Sequence, residues 1–249
     1  MRDIERLETL CRWLVLADVL QISSEYHDSI PVQFRHFNLH APEDEIVLEL
    51  SARNIDGTEH HLFMREELLK GTFDEKGAFS ATDWRGRKCS MSAMKLTPEL
   101  FPSMSAWENV RSRPLVPDLD QDRIMAALKP FADIFATNVC DPIENDFMAE
   151  WYRKGDLALI IGDFNFASTL YNLRHTQLDD QIKNVAVDAL KAFAKVAEHP
   201  TWNENAADED VWWQHDGHIL RVGDLRRARE LVQETFGAEP EPETEAPKP

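Results

Sequence analysis

Three close pairs of histidines are the first candidates for chemistry in this chain: His36 with His40, His60 with His61, and His215 with His218. Imidazole is the commonest protein ligand for divalent metals and the usual proton shuttle near neutral pH. On a helix, the four-residue spacing would set His36 and His40 on one face as ligands. On a strand they would share a face about 13 Å apart, too far for one ion. Phe37-Asn38-Leu39 between them supplies no glutamate in the HExxH position, so the zinc-peptidase pattern is absent. His60 and His61 fall on opposite faces of a strand and need another element to complete a site. His215-Asp216-Gly217-His218 is the best placed pair, because a tight turn can project both imidazoles and Asp216 to one side. A fourth ligand for a divalent ion would then come from Asp208-Glu209-Asp210.

Carboxylates gather at Asp118, Asp120 and Asp122, and at Asp141, Glu144 and Asp146. Both groups sit at expected helix starts, where capping of free N–H groups accounts for them without catalysis. Cys140 precedes Asp141-Pro142 and has no neighbouring histidine to activate it. Arginines cluster once, as Arg221, Arg226, Arg227 and Arg229. They form a local anion or nucleic-acid contact, or pair internally with the acidic tail. Trp202, Trp212 and Trp213 stand among Glu204, Asp208, Glu209 and Asp210, a combination of aromatic faces and carboxylates suited to a basic peptide or protein surface.

The elements that must position these groups follow from periodicity. Ile4 to Ile22 reads as one helix, apolar nearly all round between Trp13 and Leu20 and so buried, with Cys11 a core thiol. From Pro31 to Met94 the period is two, and Asn54-Ile55-Asp56-Gly57 turns the strand 46–53 into the strand 58–64. A weaker strand is expected over 32–39, and a second hairpin over 78–94 around Arg85-Gly86. Pro98, Pro102, Pro114 and Pro117 then interrupt regular structure. Helices are expected from Asp120 through Phe135 with a kink or break at Pro130, over 157–171, and from Thr176 through Val196, the last two forming an antiparallel pair. A terminal hairpin follows over 211–222, and then a helix capped by Asp224. No internal repeat is evident. The fold class is therefore α+β: helix and antiparallel sheet over 1–100, a connection over 101–118, a mainly helical region with a terminal hairpin and helix over 119–236, and a disordered acidic tail over 237–249.

Composition limits the function. With 27 Lys+Arg against 45 Asp+Glu, the net charge of −18 disfavours nucleic acid as a general partner. No apolar run approaches the length of a membrane span, and the first residues mix charge signs, unlike a signal peptide. Three dispersed cysteines fit a reducing cytoplasm. Nine glycines, none in GxGxxG or GxxxxGK[ST] spacing, argue against phosphate-cradling enzymes. The expectation is an acidic cytoplasmic adaptor, chaperone or inhibitor, without cofactor. It engages a basic protein surface, in its extreme form a nucleic-acid-binding protein deceived by charge mimicry. The partner-facing group is Trp202, Asp208, Glu209, Asp210, Trp212 and Trp213. The alternative is a metal-dependent hydrolase using His215, Asp216 and His218.

Overall fold

The computed structural model describes residues 2–17, 19–54, 57–94, 119–138, 150–154, 157–199, 202–215 and 218–237. The connection 101–118, Cys140, the carboxylates Asp118, Asp141, Glu144 and Asp146, Asp216, and all of the tail beyond residue 237 lie outside them. The α+β expectation holds. Helix α1 (Arg2–Leu16) leads into a seven-stranded antiparallel sheet in the order β4-β3-β2-β1-β7-β6-β5. Its strands are β1 (Val19–Ser24), β2 (His27–Phe37), β3 (Ile46–Asn54), β4 (Gly57–Met64), β5 (Thr72–Phe73), β6 (Phe79–Thr82) and β7 (Lys88–Met94), with the short helix α2 (Arg65–Lys70) between β4 and β5. Then come α3 (Gln121–Asn138), the hairpin β8 (Glu150–Lys154) and β9 (Leu157–Ile160), α4 (Ile161–Tyr171), α5 (Asp180–Ala189), α6 (Lys191–Glu198), the hairpin β10 (Val211–His215) and β11 (His218–Arg221), and α7 (Val222–Phe236). One hydrophobic cluster runs from Leu7 to Val232, so the early sheet and the later helices share a core. At its centre Phe131 stacks on Phe193 at 3.7 Å and Phe164 meets Phe193 edge-on.

Four expectations about the bounds of elements change. The first helix stops at Leu16, because the half-buried Arg35 guanidinium takes the carbonyls of Leu14 and Ala17 and so closes the helix's negative end. The following residues form β1, the strand between β2 and β7, with Leu20 and Ile22 turned into the core. Residues 157–160, expected to open a helix, instead pair with β8, and the helix begins at Ile161. Pro130 lies inside α3 without ending it: Leu128 and Phe131 are fully buried, and packing outweighs a lost backbone bond worth about 3 kcal/mol. The helix expected through Val196 is two helices meeting at Leu190.

The chain also contains a repeat. Hairpin β8–β9 with α4, and hairpin β10–β11 with α7, are two copies of one ββα unit set 61 residues apart. Trp151, Leu159, Ile161-Gly162-Asp163, Ala167 and Leu170 recur as Trp212, Leu220, Val222-Gly223-Asp224, Ala228 and Leu231. Each unit opens its helix in the same way: Asp163 accepts a hydrogen bond from the backbone N–H of Ile160 at 2.9 Å, and Asp224 from that of Arg221 at 2.8 Å. The first copy docks on β2 through Asn165 and Asn172, whose amides donate to the carbonyls of Arg35 and Phe37. Asp163→Ala and Asp224→Ala should each cost about 1 kcal/mol in urea unfolding. Equal behaviour of the two sites checks that the caps are equivalent.

Candidate metal centre

The alternation of β4 puts Glu59 and His61 on one face and His60 on the other. On the His60 face, its Nδ1 lies 2.9 Å from the buried Ser51 Oγ and 3.4 Å from the buried Glu49 Oε1. Both partners use the same ring nitrogen, so the trio lacks the relay geometry of a nucleophile, base and acid. On the inner side His61 is fully buried. Burial, then the nearby Arg87, pushes its pKa down to about 4, so it is neutral at pH 7.

The sheet folds over to enclose His61. Trp84 N–H donates to Leu62 O at 2.8 Å, and the Arg87 guanidinium donates to His60 O at 2.8 Å, fastening the β6–β7 turn to β4. That turn is built on Asp83, whose carboxylate accepts from the backbone N–H groups of Arg85 and Arg87 and pairs with the Arg87 side chain at 2.6 Å. Gly86 supplies the positive φ that the reversal needs. Cys89, next along β7, brings its sulfur to 3.5 Å from His61 Nδ1. From the far side His27, at the start of β2, brings its Nε2 to 2.8 Å from Glu59 Oε2, and His61 Nε2 lies 3.5 Å from the same oxygen.

The protons of this cluster can be placed. His27 Nδ1 faces the carbonyl of Asp28 at 2.9 Å and donates its hydrogen there, which leaves Nε2 turned to Glu59. Burial and the Asp83 carboxylate raise the Cys89 thiol to about 12, so it keeps its proton, which points to Arg87 O at 3.6 Å. The sulfur then accepts from His61 Nδ1–H, and His61 Nε2 is left as a lone pair. Neither Nε2 makes a hydrogen bond, despite the adjacent carboxylate oxygen. Two imidazole Nε2 atoms thus converge on one carboxylate oxygen with no aligned hydrogen bond between them.

Such a donor set fits a divalent transition metal. Ligands on tetrahedral zinc with bonds near 2.05 Å are roughly 3.3 Å apart, and the 2.8 and 3.5 Å contacts bracket that edge. Both imidazoles already carry the outer hydrogen bond that orients a ligating ring. The neighbouring trio His61, Asp83 and Cys89 is also close-set. There, however, the Arg87 guanidinium already neutralises Asp83 and would repel a second cation. Exposure rises from His61 through His27 to Glu59, whose side chain is 31% accessible, so the site opens on the Glu59 side. Cys89 also lines a groove of about 620 Å³ with Ser24, Glu67, Lys70 and Thr82.

The residues singled out from sequence lie elsewhere. His36 is inside, edge-on to Phe135, and burial pushes its pKa down to about 4. His40 is exposed against Asn172 O and His175. His218 is half-buried, whereas the His215 side chain and Asp216 of the alternative metal set fall outside the described residues. The arginines are occupied by the acidic loop before β10: Arg226 pairs with Asp208 and Arg229 with Glu204, both at 2.7 Å. Arg221 donates to Glu209 O, and Arg227 pairs with Asp224. Asp210 accepts from Ala207 N–H within that loop. Trp202, Trp212 and Trp213 are half-buried against the core, Trp212 edge-on to Tyr152.

Comparison of the chain with protein-family models, characterised proteins and solved structures gives no match. Among the described residues no helix is long and apolar enough to cross a membrane.

His36 sets a pH dependence. A histidine held neutral in the fold and protonated near 6.5 when unfolded supports the fold above 6.5. It withdraws that support, by about 1.4 kcal/mol per pH unit, as pH falls from 6.5 towards 4. His36→Gln should flatten the stability profile over that window by one proton, as read by denaturant unfolding at successive pH values.

Proposed function

We propose that this chain binds one divalent transition-metal ion through His27, Glu59 and His61 and uses it as a metal-dependent hydrolase does. The observation that carries the reading is the fully buried, neutral His61, whose Nε2 has no hydrogen bond and faces the same carboxylate oxygen as His27 Nε2. Three protein ligands with one accessible side are the arrangement of catalytic rather than structural zinc, and a metal so held lowers the pKa of bound water to about 7. Cys89 and Asp28 act behind the ligands, fixing which nitrogen of each ring is bare. The purified chain, stripped and reloaded, should take up one zinc or cobalt ion per molecule, with visible cobalt d–d bands of low-symmetry coordination. His61→Gln or His27→Gln, each removing a direct ligand, should abolish stoichiometric uptake. Uptake unchanged in both variants would remove the site.

A second reading, engagement of a basic protein partner, draws on the terminal hairpin. Cross-strand pairing sets Val211 opposite Arg221 and Gln214 opposite Ile219, and these four residues are exposed, Val211 by 50% and Ile219 by 37%. The exposed Glu209 and Asp210 lie immediately before them. The partner-facing group then consists of these residues, with Trp202, Trp212 and Trp213 supporting the hairpin from behind. Val211→Lys with Ile219→Lys should abolish a basic protein's co-migration in native mass spectrometry and leave the far-UV spectrum unchanged. A persisting complex would exclude this face.

A further inference from the structure

We infer that the groove beside Cys89 is a second binding site, independent of the metal centre, and that its ligand is a short peptide carrying both free termini. At about 620 Å³ the groove has the size of a small-molecule site, yet among the described residues no large apolar side chain lines it. Ser23, Ser24, Ser80, Thr82 and Ser90 bring hydroxyl-bearing residues from the neighbouring strands β1, β7 and β6, and α2 brings Glu67 and Lys70. A hydroxyl both donates and accepts, so this lining suits a run of amide groups, whose N–H and C=O alternate. It disfavours an aromatic or lipid ligand, which would strip water from the hydroxyls and give no hydrogen bond in return.

The charges select the ends of the ligand. Glu67 Oε2 is buried and has no hydrogen-bond partner, so its desolvation stays uncompensated until a donor arrives. Lys70, one turn further along α2, gives its ammonium to Glu66 at 2.6 Å. Lys88 is exposed and, among the described residues, its side chain has neither an ion pair nor a hydrogen bond. One uncommitted carboxylate and one uncommitted ammonium therefore line the same groove. A polyanion would meet Glu67 and a polycation would meet Lys88, whereas an ammonium at one end and a carboxylate at the other satisfy both through charge-assisted hydrogen bonds. A free amino acid carries the same two charges, but the groove holds several times the volume of glycine, which favours the peptide. The groove is also preformed. Gly71 ends α2 so close to β6 that a Cβ there would overlap the Phe79 ring, and the Arg6 guanidinium donates to Gly71 O at 3.2 Å, so little ordering is left for the ligand to impose.

Isothermal titration calorimetry of triglycine into the full chain, with a chelator present to keep metal out of the measurement, tests this against glycine, N-acetyl-triglycine and triglycine amide. Triglycine should bind at one site, about tenfold or more tightly than glycine or either blocked form. Glu67→Gln should weaken triglycine by about tenfold and make N-acetylation indifferent, and Lys88→Met should do the same for amidation. The Lys88 variant alters an exposed side chain and carries the test alone should Glu67→Gln fold poorly. No binding of triglycine, glycine binding as tightly as triglycine, or a terminal block costing as much in its variant as in the parent chain would overturn the peptide site. None of these outcomes touches the metal centre, whose occupancy is read separately by zinc uptake.

Discussion

The ion pair between Asp83 and Arg87 is the interaction on which the architecture of the site depends. The Asp83 carboxylate is buried and accepts two backbone N–H groups as well as the guanidinium, so its charge is fully compensated where water cannot reach. A buried charge left without its partner costs about 3–5 kcal/mol, which makes the turn an all-or-none feature. Because the same guanidinium reaches His60 O, the turn cannot form without drawing β4 against it. That contact encloses His61, brings it to Cys89 and leaves a single nitrogen of the ring facing Glu59.

The pair also decides which of two close-set trios is chemically open. Asp83 has no charge to spare for a metal, and the Cys89 thiol keeps its proton in that buried position, so the inner trio is a hydrogen-bonded support. The outer trio has the opposite character: two imidazole Nε2 atoms converge on a carboxylate, and exposure rises from full burial at His61 to 31% at Glu59. A neutral, oriented imidazole in a poorly hydrated position is what a cation of intermediate softness selects. Support and site are thus built from opposite edges of the same imidazole ring.

Parts of this were legible in the sequence. Arg85-Gly86 marks a real reversal, strands β3 and β4 pair back to back from Asn54 and Gly57, and the period-two pattern identifies β3, β4, β6 and β7. Glu59 and His61, two apart on a strand, could have been read as ligands on one face. The adjacent His60-His61 pair masks them, because neighbouring side chains on a strand diverge to opposite faces. His27 carries no local signal: it arrives through the bend of β2 at Pro31 and the closure at Asp83, both properties of the folded sheet. The apolar run Trp13 to Leu20 reads as helix all through because helix and buried strand look alike when every side is covered, and only the Arg35 cap divides them. The ββα repeat was hidden because α5 and α6 separate its copies and few positions match. The arginine cluster and acidic loop were both visible, but their mutual pairing is a matter of tertiary approach.

X-ray absorption at the zinc edge of the loaded protein is the most direct test of the central claim, because it reports ligand type as well as occupancy. The account predicts nitrogen and oxygen scatterers at about 2.0–2.1 Å, outer-shell features of two imidazoles and no sulfur at about 2.3 Å. A sulfur scatterer would move the metal to Cys89 and the inner trio, and zinc with only a hydrated shell would show that His27, Glu59 and His61 do not hold it.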